Sequence, residues 1–173
     1  MIDQNGNLYR LTESQKSDGN RPRMMRSTDG GSTWAEVDAA HRPASRDLEG
    51  AWQLQIGTSI YVSVANSNNV WLHIFNTSDA TAQPDHWVHD ERVIKDLDNV
   101  GGVAQFSSLA YTSDDHLWLF HSDSMIDGRQ QIGYRQRSPS GAWGPRLSLA
   151  ETDGSWTGPR PIVGLNDVTH VFY

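Results

Sequence analysis

The stretch Arg26-Ser27-Thr28-Asp29-Gly30-Gly31-Ser32-Thr33-Trp34, read as RSTDGGSTW, decides how this chain is to be read. Asp-Gly-Gly between two short strand-like runs has the composition of a tight reversal. An aspartate can accept hydrogen bonds from the turn's own N–H groups, and glycine supplies the positive φ that other residues resist. The tryptophan that follows is large enough to insert between packed sheets. A single hairpin carries no functional message, whereas a repeated one defines an architecture.

The hairpin repeats. Leu8-Tyr9-Arg10-Leu11 laid over Leu117-Trp118-Leu119-Phe120 without a gap brings Asp18-Gly19 onto Asp127-Gly128, Arg26 onto Arg135 and Trp34 onto Trp143. Ile60-Tyr61 and Trp87 mark a copy between these two, and Asn166 to Phe172 resembles the run Ser113 to Trp118. The period is about 50 residues, each holding roughly four short strands, which is the spacing of a β-propeller blade and not of a helical repeat. Runs such as Ile60 to Val64 and Val70 to Phe75 are apolar on both faces, as expected for strands sandwiched between two sheets. No sustained helical periodicity is present.

The sequence therefore predicts an all-β fold of four-stranded antiparallel blades over 1–173, with blade 1 at about 3–40, blade 2 at about 48–95, blade 3 at about 104–150 and a partial blade 4 at about 158–173. Strands a to d run from the axis outward. Strand d of blade 3 is expected at 143–149. Three periods and a remainder do not close a ring of about 4–8 blades. The expectation is a piece of a longer propeller, or a homo-oligomer whose copies close the ring together.

Composition narrows the partners. The net charge is -7 without any block of Lys and Arg, which argues against nucleic acid and anionic membrane and leaves room for a neutral ligand. The absence of cysteine removes disulfides, thiolate zinc sites and cysteine catalysis. The opening MIDQNGNLYR has neither a basic nor an apolar leader segment, and no apolar run approaches the ~18 residues of a membrane span. Nothing calls for a cofactor. His86 and His89, flanked by Asp85 and Asp90, fall on opposite faces of a strand and are not expected to share a metal. Asp18-Gly19 and Asp127-Gly128 lack the acidic density of a calcium loop.

RSTDGGSTW matches the pattern Ser-x-Asp-x-Gly-x-Thr-Trp at Ser27, Asp29, Gly31, Thr33 and Trp34, and so resembles the BNR/Asp-box repeats of the sialidase-like β-propellers. The equivalent stretch Ser138-Pro139-Ser140-Gly141-Ala142-Trp143 keeps Ser, Gly and Trp without the Asp. The resemblance implies that these five residues are structural, that they lie away from the ligand face, and that an extracellular setting suits the chain. It also implies a carbohydrate ligand, held by the b–c and d–a loops and the inner ends of the a strands.

A sialidase-like glycosidase would need an arginine cluster for a substrate carboxylate, a tyrosine nucleophile assisted by glutamate, and an aspartate acid/base. Arg46, Arg135 and Arg160 are the candidate cations, Tyr111 or Tyr134 the phenol, and Asp47 and Glu49 the carboxylates. Arg160-Pro161-Ile162 only loosely resembles the family's Arg-Ile-Pro segment. A polysaccharide lyase would instead use His73 or His121 with Tyr134 and Arg135. The catalytic candidates are thus Glu49, Tyr134 and His121, and the substrate-binding candidates Arg135, Arg160 and Trp156, whose ring could stack on a sugar. Arg135 repeats Arg26, and His73 lies inside a strand, so both also read as packing residues. A non-catalytic protein-interaction scaffold is the alternative to a glycan-recognising, glycosidase-related segment.

Overall fold

A computed structural model describes residues 1–13, 21–43, 51–66, 69–78, 86–94, 104–124, 129–152 and 158–173. Its strands are β1 (Leu8–Glu13), β2 (Pro22–Ser27), β3 (Ala35–Val37), β4 (Trp52–Ile56), β5 (Ser59–Asn66), β6 (Asn69–Asn76), β7 (Trp87–Ile94), β8 (Ala104–Tyr111), β9 (Leu117–Ser124), β10 (Gln130–Arg137), β11 (Leu147–Thr152), β12 (Arg160–Val163) and β13 (Thr169–Phe172). Among the described residues there is no α-helix, only short 3-10 turns at Ala39–His41 and Leu165–Asp167. Four sheets result, in the orders β1-β2-β3, β4-β5-β6-β7, β8-β9-β10-β11 and β12-β13. Each is a meander of chain neighbours, as a propeller blade requires.

Two compact units are distinguished, Met1–Leu48 with Gln53–Val62 and Leu72–Glu91, and Glu49–Trp52 with Ser63–Trp71 and Arg92–Tyr173. In the first, Tyr9 and Met24 are buried, and the Tyr9 ring lies 6.0 Å from that of Phe75. Phe75 in turn stacks on His86 at 5.4 Å and meets Trp87 edge-on at 5.1 Å. Burial pushes the Tyr9 hydroxyl up to about 12, against a hydrogen bond from Arg26 that pulls the other way. The strands β5 and β6 are buried on both faces. Val62, Ser63 and Val64 are all sealed from solvent, as are Val70, Leu72 and His73. That explains why these runs do not alternate in polarity.

The RSTDGGSTW turn satisfies itself. Ser27 Oγ accepts the N–H of Gly31 at 2.8 Å and donates to Asp29 Oδ1 at 2.7 Å. Asp29 accepts the N–H of Thr33 at 2.9 Å and the Thr33 hydroxyl at 2.6 Å. The bond from the Thr33 hydroxyl is the first reason that the Asp29 carboxyl is held well below the usual range. Trp34 donates its Nε1 hydrogen to Gly31 O at 2.9 Å, and Arg10 lies 4.1 Å over its ring. Gly30 and Gly31 sit at φ +71° and +97°.

The equivalent turn in the third blade works with less. Ser138 Oγ accepts the N–H of Ala142 at 3.1 Å, and Gly141 adopts φ +90°. Here the expected strand d at 143–149 is corrected. Trp143 makes a single bridge to Arg137, and the continuous strand begins only at Leu147. Pro145 has no N–H to give a ladder, so the pairing breaks around it.

The hairpin β12-β13 differs from the other sheets in having no buried residue in either strand. Ile162, Leu165, Val168 and Phe172 are all more than half exposed.

Candidate functional site

The second unit contains a cleft of about 190 Å³ lined by residues 51–52 at the start of β4, 106–107 in β8, and 158–160 leading into β12. Each of these segments is the entry to the first strand of a sheet. The blade repeat therefore places equivalent positions side by side, and the cleft follows from repetition. Trp52 and Phe106 are half-buried, Ser107 is buried, and Arg160 is exposed.

Gly158 fits closely over Phe106. A Cβ there would lie 3.1 Å from Cγ and 3.2 Å from Cβ of the ring residue. Its φ lies outside the left-handed region, so close approach and not backbone freedom is what this glycine provides. The Arg160 guanidinium forms no hydrogen bond or ion pair among the described residues. Two aromatic faces beside an available guanidinium suit a ring-shaped polar ligand, which offers C–H surface to the rings and oxygen to the five-donor fork. No described residue lining the cleft is a carboxylate. These side chains can bind and orient, and they carry no group for proton transfer at neutral pH.

Of the residues singled out in the sequence, Arg160 lies in this cleft. Glu49, Trp156, Arg46 and Asp47 lie outside the described residues, as do Asp85 and the two Asp-Gly pairs at 18–19 and 127–128. Tyr134 and His121 are not brought together. Tyr134 pairs with Phe120 and His121 with Gly133, so the pleat sends the two side chains to opposite faces of the sheet. Tyr134 packs against Trp118 at 5.7 Å and Phe120 at 5.9 Å. Arg135 donates to Gly144 O at 2.8 Å and Val93 O at 2.5 Å, and lies 5.7 Å over the ring of Trp143. These are bonds that hold sheet backbone in place. Tyr111 donates to Asp115 at 2.5 Å. His73 is buried with Nδ1 3.2 Å from Asp90, His86 binds Asn76 O at 2.9 Å, and His89 faces Glu91 at 3.0 Å. Among the described residues no group of three or more acidic or histidine side chains could hold a metal.

His121 belongs to a polar cluster whose centre, His121 and Asp123, is buried. Its Nδ1 lies 2.8 Å from Asp123 Oδ1, and Arg146 donates from Nε to its Nε2 at 3.4 Å. Arg146 also pairs with the other Asp123 oxygen and donates to Gln131 Oε1 at 3.1 Å. Since Nε2 accepts, the ring hydrogen is on Nδ1, and it is donated to Asp123. Ser107 is the cross-strand partner of His121 on β8. The imidazole lies over Gly133 on the far side, where an added Cβ would meet Cε1 and Nε2 at 2.7 Å. The signal was the i, i+2 spacing of His121 and Asp123 on one strand face. Arg146 and Gln131 come in through register alone.

No family model and no curated protein matches the sequence. Among solved structures, the chain resembles an α-L-arabinanase of Penicillium chrysogenum complexed with arabinobiose, at 16% identity and a TM-score of 0.54 over 93% of this chain and 50% of that one. It also resembles the GH93 α-L-arabinofuranosidase of Fusarium graminearum complexed with arabinobiose, at 15% identity and a TM-score of 0.57 over 93% of this chain and 49% of that one. The chain thus spans about half the length of these two structures. At such identity the likeness establishes the fold, an all-β set of four-stranded antiparallel blades forming part of a β-propeller.

Proposed function

We propose that the chain is a glycan-recognising segment of a carbohydrate-active propeller of the sialidase-like, Asp-box type, and that the cleft at Trp52, Phe106, Ser107 and Arg160 receives one sugar residue. The observation that carries this reading is the convergence of two aromatic rings and an available guanidinium where the first strands of three sheets begin. The cleft, at about 190 Å³, is small and open to solvent, which favours one sugar residue over a longer oligosaccharide. The self-bonded turn from Ser27 to Trp34 supports the Asp-box type. The arabinobiose held by both structural neighbours supports a saccharide ligand. In this reading Trp52 stacks on the sugar face, and Arg160 takes its hydroxyl or carboxylate oxygens. The catalytic carboxylates of a glycosidase are not assigned to the described lining residues, so the proposal for them is recognition.

Titration with arabinobiose and with a uronate disaccharide, followed by tryptophan fluorescence and calorimetry, tests it. Trp52→Ala and Arg160→Ala are each expected to weaken binding more than roughly tenfold, while the surface variant Arg129→Gln binds as before. Silence of the unsubstituted chain toward both saccharides at millimolar concentration, or unchanged binding by Trp52→Ala, would overturn the reading.

A further inference from the structure

Arg160 is carried by an element with little to hold it. The strand β12 has four residues, pairs only with β13 and contains no buried side chain. Beside the packing of β12 along β8, two attachments among the described residues tie this hairpin to β8 and its turn. At the cleft end Gly158 lies flat on Phe106. At the other end, the turn between β12 and β13 reaches Ser113, in the turn that follows β8. Asp167 accepts the N–H of Ser113 at 2.8 Å through Oδ1, and the Ser113 hydroxyl through Oδ2.

The backbone at this second attachment is unusual. Asn166 and Asp167 are consecutive non-glycine residues at φ 62° and 59°. Left-handed backbone in one non-glycine residue is uncommon, and two in succession need an external hold. The two bonds to Ser113 provide it. They hold the turn toward β8 and so fix the far end of β12, whose first residue, Arg160, lies about 10 Å back along the strand at the cleft.

We infer that Asp167, by clasping Ser113, is a positioning residue for Arg160, setting the place of the cleft's guanidinium wall without touching the ligand. The inference rests on the cleft reading proposed above. The two can fail separately, because the clasp acts on the hairpin whether or not a sugar binds.

The test combines hydrogen exchange with binding. Asp167→Gly keeps the left-handed backbone free of strain while removing the carboxylate, Ser113→Ala removes the hydroxyl donor, and Asp167→Asn keeps an acceptor for the Ser113 N–H. In the first two variants, exchange across residues 158–173 is expected to rise roughly tenfold while β9 and β10 keep their protection. Asp167→Asn should restore part of it. Arabinobiose affinity in Asp167→Gly should fall toward that of Arg160→Ala, and the double variant should bind no more weakly than Arg160→Ala alone. Unchanged exchange in the hairpin would overturn the inference. So would a rise of equal size through β9 and β10, which would make the clasp a general stabilising contact. Hairpin exchange that rises in a chain binding neither saccharide would uphold the clasp and refute the cleft's function.

Discussion

The carboxylate of Asp38 accepts the backbone N–H groups of His86 at 2.8 Å and Trp87 at 3.1 Å, and so joins the segment after β3 to the first residues of β7. Asp38 does this from a left-handed backbone at φ 59°, with its side chain almost fully buried and His41 Nδ1 2.6 Å away. A carboxylate at this position gathers otherwise unpaired donors at the start of a strand whose first side chain, Trp87, packs against Phe75.

This arrangement sets a pH dependence. Burial alone would raise the Asp38 pKa, but the Trp87 N–H, the His41 ring and the His86 N–H outweigh it and hold the group below its ordinary value. A folded-state pKa below the unfolded value of about 3.9 means stability that is present above that pH and lost as pH falls through the folded value. Asp38→Asn tolerates the left-handed backbone and removes the charge. It should cost about 1–2 kcal/mol at pH 7, with the gap to the unsubstituted chain narrowing below about pH 4. Urea midpoints at several pH values read this directly, and a gap that stays constant into acid would refute it.

The paired glycines of the RSTDGGSTW turn differ in what they tolerate. A Cβ at Gly30 meets nothing within 4 Å, and one at Gly31 would make an ordinary 3.6 Å contact with Leu8. Both sit at positive φ, so the penalty for alanine is conformational and not steric. Gly30→Ala and Gly31→Ala should each destabilise by about 1 kcal/mol, Gly31→Ala the more because φ +97° lies further from the left-handed region that side chains accept. Thermal midpoints in the order unsubstituted, Gly30→Ala, Gly31→Ala are the expected result.

Gly133 is a packing requirement of another kind. An alanine there would press on the buried His121 ring at 2.7 Å, so the ring and its bonds to Asp123 and Arg146 must shift. Gly133→Ala should cost about 2–3 kcal/mol. His121→Ala alone should also destabilise, by leaving Asp123 short of a donor. The double variant should be more stable than the sum of the two losses, since the smaller side chain makes room for the new methyl. Strict additivity in denaturant melts would show that the contact does not govern the cost.

At the cleft, Gly158→Ala probes geometry without changing charge. The contacts fall on Cβ and Cγ of Phe106, close to its backbone, so the ring cannot swing clear and has to shift by a few tenths of an ångström. Saccharide affinity should fall several-fold with a stability loss near 1 kcal/mol. Unchanged affinity beside clear destabilisation would place the sugar away from Phe106.

The strands were legible because their signal is local. Tyr9, Trp34, Trp118 and Trp143 recur at blade spacing, and the both-face-apolar runs at 60–64 and 70–75 announce sandwiched strands without any knowledge of their partners. The late start of β11 was hidden because Trp143 carries the repeat while Pro145 breaks the ladder behind it. The cleft was half legible. Arg160 stood out through its neighbours Pro161 and Ile162. Trp52 and Phe106, however, come together from two segments far apart in the chain, and no spacing announces that. Asp38 looked like one polar loop residue among many, since its two acceptor bonds depend on where β7 begins. Arg135 shows the opposite case, a charged residue in a promising position whose donors hold backbone carbonyls of Val93 and Gly144.

Every described sheet is a meander, so each strand pairs only with the one before it and the one after it in the chain. The contacts that build a blade are therefore short in sequence, and closing one hairpin prepares the edge for the next. A chain organised this way can assemble in the order in which it is synthesised, each sheet completed before the following one exists. The single blade is then the unit both of the sequence repeat and of incremental folding.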